Sequence, residues 1–370
     1  MVKKDWKALP LSDMNLEYQS EELEDDELLE VPAPVKRILL DFIVEGGQEP
    51  LRIDKYIMLK IASVTRNKVQ QAIDDELVEI NGKVVKQNYK IKPGDHVVAY
   101  TFREPPSTEV LPEDIPIDIV YEDNEVLVIN KKPNMVVHPG VGNYTGTLVN
   151  AVYFYLQQQQ QNAGELPRIG LVHRIDKDTS GLLVFGKTEK AIVHLSAQFK
   201  AHTVYRRYNA IVWGDVEAEE GTIDTFIGRN ERNRKVYDTF DEDDGKGKHA
   251  ITHYKVIERF NYVTLVECRL ETGRTHQIRV HMKHIGHTLF NDAMYGGDRI
   301  LKGTVFSKYK SFVDNCFELC PRQALHAKTL GFIHPETGEA MHFESELPED
   351  FSKVIDRWRV YVKAKGLTEG

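Results

Sequence analysis

The sequence predicts an α+β chain of two folded parts, and three observations carry that reading. Residues 50–102 change from helical to hairpin patterning within one short basic stretch. Four prolines, Pro105, Pro106, Pro112 and Pro116, then mark residues 103–116 as a semi-rigid linker. Beyond it, short apolar runs bounded by turn residues recur, as expected of strands in a larger body.

Composition sets the outer limits. The chain has 370 residues, 41% hydrophobic and 28% charged, which describes a soluble globular protein with room for two or more domains. No apolar run approaches the roughly 18 residues of a membrane span. Met1 to Pro10 lacks the apolar core of a signal peptide. Cys268, Cys316 and Cys320 are too few and odd in number for a disulfide framework and fit a reducing, cytoplasmic location. Cys316 and Cys320 lie four apart without a second pair, so they read as ordinary residues. The net charge is -9, and residues 1–50 hold 13 Asp+Glu against 5 Lys+Arg, or -8 of it. The other 320 residues are near -1, and an uneven charge distribution on them leaves room for a basic face.

Taken in order, residues 1–31 read as a disordered tail. Its acidic block, Glu21-Glu22-Leu23-Glu24-Asp25-Asp26-Glu27, repels itself and stays solvated. A sharper alternative has this block compete with an anionic partner for the chain's own basic surface. Next, Ile53, Ile57 and Ile61, then Val69 and Ile73, have helical spacing, with Thr65 a candidate cap for the second helix. Val78 to Val85 reads as a hairpin turning on Asn81-Gly82. Residues 51–100 carry 9 Lys+Arg and 6 Asp+Glu. In the body, Ile117–Tyr121 and Val126–Asn130 are strand candidates flanking a turn at 122–125. Gln157 to Gln161 reads as an exposed helix end.

The most informative stretch is Gly170-Leu-Val-His-Arg-Ile-Asp-Lys-Asp-Thr-Ser-Gly181, a charged island followed by the apolar run Leu182–Phe185. Such a loop beside a buried strand is a place for chemistry. Alone it also reads as a solvated turn in which Asp178, Thr179 and Ser180 bond their own backbone. Its H-R-I-D-x-x-T-S-G-L order resembles the signature loop of the RluA/RluD-type pseudouridine synthases, which isomerise uridine in structured RNA. The resemblance implies that Asp176 is the catalytic residue and that Arg174 fills the stack vacated by a flipped uridine.

Further blocks are similar to the same family and extend the resemblance over about residues 50–350. Arg52-Ile-Asp-Lys, Thr65-Arg-Asn-Lys-Val and Val78-Glu-Ile-Asn-Gly-Lys resemble an S4-like RNA-binding domain, implying RNA contacts for Arg52, Arg66 and Lys68. Asn130-Lys-Lys-Pro through Val136-Val-His-Pro-Gly140 matches the family's opening block. Phe199 to Val212 matches its aromatic block and implies that Tyr208 packs against the target base, a plane suited to an unstacked uracil. Two departures stand there: His202 for a usual Arg and Arg206 for a usual Lys; Arg206 is carried as an RNA contact. Thr272-Gly-Arg-Thr-His-Gln-Ile-Arg-Val-His281 implies that Arg279 pairs with Asp176, with Arg274 and His276 on the RNA. An adjacent cation lowers a carboxylate's pKa and keeps it ionised in a shielded pocket. Gly286 to Gly296 keeps the family's Gly-His, Asp and Tyr-Gly, with Thr288 for a usual Pro and Asn291 for a usual Gly. The implied architecture is an S4-like α/β module at 50–102, a mixed, largely antiparallel-sheet pseudouridine synthase domain at 117–355, and a tail at 356–370.

Three other readings are weighed and set aside. Gly181-Leu-Leu-Val-Phe-Gly-Lys-Thr188 fits the phosphate-loop pattern letter for letter, but its bulky apolar middle suits a buried strand. His276, His281, His284 and His287 invite a metal, yet lack a His-Glu-x-x-His pattern or a matched carboxylate. Asp176 and Asp178, two apart on a loop, have no partner carboxylate at glycosidase spacing. The sequence thus points to uridine isomerisation in RNA, with large-subunit ribosomal RNA or its precursor particle as partner. That reaction changes no net redox state, so no nucleotide or metal cofactor is expected. The competing class is a non-catalytic RNA-binding protein on the same fold.

Overall fold

A computed structural model describes residues 35–61, 65–103, 110–140, 143–159 and 170–366. They form two compact units, meeting in sequence near residue 108. The acidic segment expected to be a tail, 1–31, lies outside the described residues, as do Pro105 and Pro106 of the linker and Gln160–Gln161.

The smaller unit contains β1 (Val35–Ile43), α1 (Ile53–Lys60), α2 (Arg66–Asp74), β2 (Val78–Ile80), β3 (Lys83–Val84) and β4 (His96–Arg103). Its four strands run in the order β1-β4-β2-β3, all antiparallel. Asn81 and Gly82 both have positive φ, 54° and 74°, the requirement of the tight hairpin turn that their identities predict. Ile53, Ile57, Val69 and Ile73 bury one face of each helix against Val78, Ile80 and Val97. Thr65 takes the N-cap position of α2, but its side chain caps nothing. The unit begins earlier than residue 50: β1 pairs along the length of β4, and Leu40, Phe42 and Val44 join the core. The apolar run Ile38–Val44 supplies this strand, and it borders the acidic stretch closely enough to be passed over with it.

The larger unit is built from β5 (Ile119–Glu122), β6 (Val126–Lys131), α3 (Leu148–Gln159), β7 (Gly170–Leu171), β8 (Ser180–Gly186), α4 (Glu189–Lys200) and β9 (Tyr205–Trp213). It continues with β10 (Glu220–Arg229), β11 (Tyr237–Phe240), β12 (Lys248–Arg259), β13 (Val263–Leu270), α5 (Gln277–His284), α6 (Ser307–Leu319), β14 (Leu325–Ile333), β15 (Ala340–Glu344) and α7 (Glu349–Lys365). The main path of the sheet is β11-β10-β12-β13-β9-β14-β8-β6-β5, with β15 on β14 and β7 on β8. Only β14 and β8 pair in parallel, so the sheet is mixed and largely antiparallel.

Helices cover both faces of the central strands. Leu127, Ile129, Leu183, Phe185, Tyr208 and Ala210 face α3 and α5. Val126, Val128, Leu182 and Val184 face α4, and Ile211 and Trp213 face α6 and α7. Every residue of β8 is buried, which is why Leu182–Phe185 is a continuous apolar run. Gly181–Thr188 is therefore strand and helix cap: Thr188 accepts the Ala191 amide at the start of α4.

Two sequence expectations about boundaries change. The residues beyond 355, read as a tail, continue α7 to Lys365 and bury Trp358 and Val362, an i, i+4 pair on the helix's apolar side. The described end of the linker, 110–116, packs onto the larger unit. Val110 touches the core, Asn150 donates to the Leu111 carbonyl at 2.7 Å, and Glu113 accepts the Gly146 amide. Buried Asn150 requires such partners, and the extended backbone supplies one.

Candidate active site

The loop between β7 and β8 carries Asp176, and buried groups on distant segments fix it. Lys131, at the end of β6, is 1% exposed and donates to the carbonyls of Lys132, Met135 and Lys177, each at 2.9 Å. Arg322, 7% exposed, gives Nη1 to the Asp178 carbonyl at 3.0 Å and is itself held by Asp350. The Thr179 amide closes the turn onto the Asp176 carbonyl, and Ser180 opens β8 with its hydroxyl 2.9 Å from His326 Nδ1. Burial pulls the Lys131 ammonium down to about 7, against the raising influence of Asp176 and Asp178. Its three carbonyl acceptors use all three N–H groups of the charged form.

Asp176 is 22% exposed at its side chain and accepts Arg279 Nη1 at 2.9 Å. His276 Nε2 stands 3.9 Å from its other oxygen. Burial pushes its carboxyl up, but His276, Arg279 and Arg174 more than reverse this and hold it below the usual carboxylate value. Arg279 lies on the first turn of α5 and is fixed from behind by Asp292, through bonds of 2.7 and 2.8 Å. Its guanidinium also lies 4.9 Å from the Tyr295 ring centre. The Tyr295 hydroxyl meets His276 Nδ1 at 2.8 Å and accepts the Tyr237 amide at 3.1 Å. His276 adopts a positive φ of 57° at the N-cap of α5, aiming its ring between Tyr237 and Tyr295.

Tyr208 lies on β9 opposite Cys268 and Ala327, buried in the same cluster as Ile175 of the Asp176 loop. Burial raises its phenol, so it presents a neutral ring. His173 supports the loop from beneath: it stacks on Phe199 at 4.4 Å and accepts the Val184 amide, and burial pulls it down to about 3.

The sequence-predicted residues fall into groups. Asp176 and Arg279, 103 positions apart, are in contact, with His276 beside them. Arg174 is exposed two residues before Asp176 and adds to its field. Arg274 is partly exposed just ahead of α5 and donates to the His249 carbonyl. Arg206, read as an RNA contact, is 6% exposed and packs over the Phe199 ring and against Gly273. In the small unit, Arg52 and Arg66 both bond the fully buried Asp54, which also takes Gln70 and the Lys55 amide. Burial alone would raise the Asp54 carboxyl, but these donors pull it far below its usual value. Both guanidiniums stay about half exposed, and Lys68 is exposed beside them. The four clustered histidines hold separate partners: Tyr295 for His276, Thr252 for His281, Thr239 for His284 and the Trp213 carbonyl for His287.

Sequence reasoning gave no role to Asp292, Tyr295, Lys131 or Arg322. Asp292 and Tyr295 stand in a block whose letters were noticed, but their three-residue spacing does not reveal that they serve Arg279.

A carboxylate kept ionised by a buried arginine, beside a flat aromatic wall, is an arrangement that holds a planar base over an anion. The comparisons name that class. Residues 125–284 match a family model described as RNA pseudouridylate synthase, and residues 51–97 match the S4 domain. An uncharacterized RNA pseudouridine synthase of Chlorobaculum parvum is 48% identical, over 87% of this chain and 98% of its own length. Ribosomal large subunit pseudouridine synthase D of Zymomonas mobilis is 41% identical, over 81% of this chain and 91% of its own. The same-named protein of Escherichia coli is 38% identical, over 88% and 95%. The human RNA pseudouridylate synthase domain containing 4 structure shares the fold, with a TM-score of 0.50 at 22% identity, covering 65% of this chain and 93% of that one. The chain belongs to the RNA pseudouridine synthase family.

Proposed function

We propose that this chain isomerises specific uridines of large-subunit ribosomal RNA to pseudouridine, with Asp176 as the essential carboxylate. The Arg279–Asp176 contact carries the reading, because a module that only binds RNA has no use for a shielded, arginine-paired carboxylate. The names of the relatives from Zymomonas mobilis and Escherichia coli support the ribosomal substrate. Three buried free cysteines suit action in the reducing cytoplasm, and among the described residues no helix is long and apolar enough to cross a membrane.

In this mechanism the target uridine leaves its stack, at a cost of a few kcal/mol, and Arg174 takes its place. The uracil rests against Tyr208 with its sugar above Asp176. Asp176 either attacks the anomeric carbon or removes the neighbouring ribose proton, and the bond from that carbon to N1 breaks. The freed uracil turns, and its C5 forms the new bond to the anomeric carbon; in the first route this displaces the Asp176 carboxylate from that carbon, and in the second Asp176 returns the proton to the neighbouring ribose carbon. A base then takes the C5 proton and N1 gains one, so atoms and electrons balance without an outside reductant. Enclosure keeps the detached uracil from escaping. Arg274 and His276 supply contacts to the RNA at the target, and Arg52, Arg66 and Lys68 supply contacts to RNA from the smaller unit.

The test is tritium release from large-subunit ribosomal RNA labelled at uracil C5. The intact protein should release tritium, and Asp176→Asn should bind the RNA without releasing any. Substantial turnover by Asp176→Asn would remove Asp176 from its role. No release by the intact protein from free RNA or from assembled subunits would sink the proposed activity.

A further inference from the structure

The turn between β10 and β11 gathers four basic side chains within seven residues. Arg229, Arg232, Arg234 and Lys235 stand there against one carboxylate, Glu231, which Lys246 engages. Arg232, Arg234 and Lys235 are exposed, and among the described residues none of the three forms an ion pair. A surface lysine or arginine left without a carboxylate in a chain of net charge -9 is free to meet an outside anion.

The turn is also rigid. Asn230 accepts the amides of Arg232 and Asn233, at 2.9 and 2.7 Å, and its own amide bonds the Val236 carbonyl. Arg229 donates to the Arg234 carbonyl at 3.1 Å and lies over the Tyr237 ring at 5.5 Å. Cations presented from a preformed turn lose little freedom on binding.

Its position gives it a purpose. Tyr237, two residues after Lys235, donates its amide to Tyr295, and its ring centre lies 5.6 Å from that of His276 in a T-shaped contact. His276 in turn faces Asp176. Two residues of chain span at most about 7 Å, so the positive turn lies beside the residues that surround Asp176. A nucleotide whose base reaches Asp176 leaves its flanking phosphates farther out.

We infer that the 229–236 turn is a phosphate clamp, gripping the RNA strand beside the flipped uridine through Arg232, Arg234 and Lys235. The inference rests on the RNA reading of the site above. A protein partner with an acidic surface would also suit the charges, but contiguity with the residues that surround Asp176 favours the substrate strand.

The test uses the full chain with in-vitro-transcribed large-subunit ribosomal RNA and measures binding directly as salt is raised. The Arg232→Gln/Arg234→Gln/Lys235→Gln variant should bind about 30-fold more weakly at moderate salt. Its dependence of log Kd on log salt should flatten by about 2, as each lost phosphate contact removes roughly 0.7 to 0.9 from the slope. A control, Lys353→Gln/Lys363→Gln/Lys365→Gln on α7, removes equal charge and should change neither. Unchanged affinity and slope in the first variant, or equal changes in both, would overturn the clamp. Binding is read apart from turnover. An intact protein that shows the clamp but releases no tritium would leave the clamp standing and the isomerase reading fallen. Normal turnover with no loss in the variant would do the reverse.

Discussion

Arg279 gives two N–H groups to Asp292, at 2.7 and 2.8 Å, and one to Asp176, at 2.9 Å. The bidentate partner is therefore the fully buried Asp292, and the partly exposed Asp176 receives the remaining edge. A guanidinium shared this way is held in place before substrate arrives. Asp292→Asn should lower the single-turnover rate by about 10- to 100-fold with RNA affinity unchanged, since the released guanidinium drifts from its position. Breaking a buried pair should also cost about 3 kcal/mol in urea unfolding. A wild-type rate in Asp292→Asn would show that Asp176 alone suffices to place Arg279.

The same arrangement sets a pH dependence. The folded-state pKa of Asp176 lies below its unfolded value of about 3.9. Stabilisation from this group is thus present above that unfolded value and is lost as pH falls through the folded one. No loss of rate from Asp176 protonation is expected between pH 8 and 5. Arg279→Gln removes a neighbouring charge and a hydrogen bond while leaving burial, which acts upward. Its acid limb should move to higher pH, on top of a lower plateau. The rate–pH profile of tritium release checks this. An acid limb in the same place would leave Arg279 a purely geometric role.

How much was legible in the sequence follows from what each residue does. Asp176, Tyr208 and Arg279 sit in contiguous blocks whose letter order is distinctive, so they were singled out. The β8 strand was legible because burial on both faces leaves an uninterrupted apolar run. Lys131, Arg322 and Asp292 were not. Lys131 and Arg322 serve carbonyls 46 and 144 positions away, and Asp292 serves an arginine on another element. No local spacing encodes such pairings. Arg206 stands in the same block as Tyr208, and nothing in that block's letters shows that Phe199 and Gly273 pack around it.

Gly181 joins the Asp176 loop to the sheet at a position that requires glycine. Its φ is +118°, and a Cβ there would lie 2.2 Å from the Ala327 carbonyl oxygen. Ala327 pairs with Gly181 across the parallel β8–β14 ladder and with Tyr208 across β9. Gly181→Ala must push β14 away, disturbing the Tyr208 wall and the Asp176 loop together. It should cost about 3 kcal/mol or more in thermal unfolding and abolish most activity. Gly286→Ala, at φ +84° with open space around it, should cost only about 1 kcal/mol. Equal costs for the two would show that the close approach across the ladder yields easily.

The last helix should matter to stability as much as any strand. Trp358 on α7 is fully buried, with its ring centre 4.8 Å from that of Phe312 and 6.2 Å from that of Phe290. With Phe351, Val354 and Ile355 it covers Ile211 and Trp213 on the face of β9 opposite Tyr208. The first turn of the same helix carries Asp350, which holds Arg322 against the Asp176 loop. Trp358→Ala should therefore cost about 3 to 5 kcal/mol, through lost burial and the cavity left behind. Val360→Ala, two residues on and 66% exposed, should stay within about 0.5 kcal/mol. A stop after Ile355 removes Trp358 and Val362 together, and such a chain should lose its cooperative thermal transition. Unfolding of that shortened chain at the temperature of the full one would return residues 356–365 to the status of a tail.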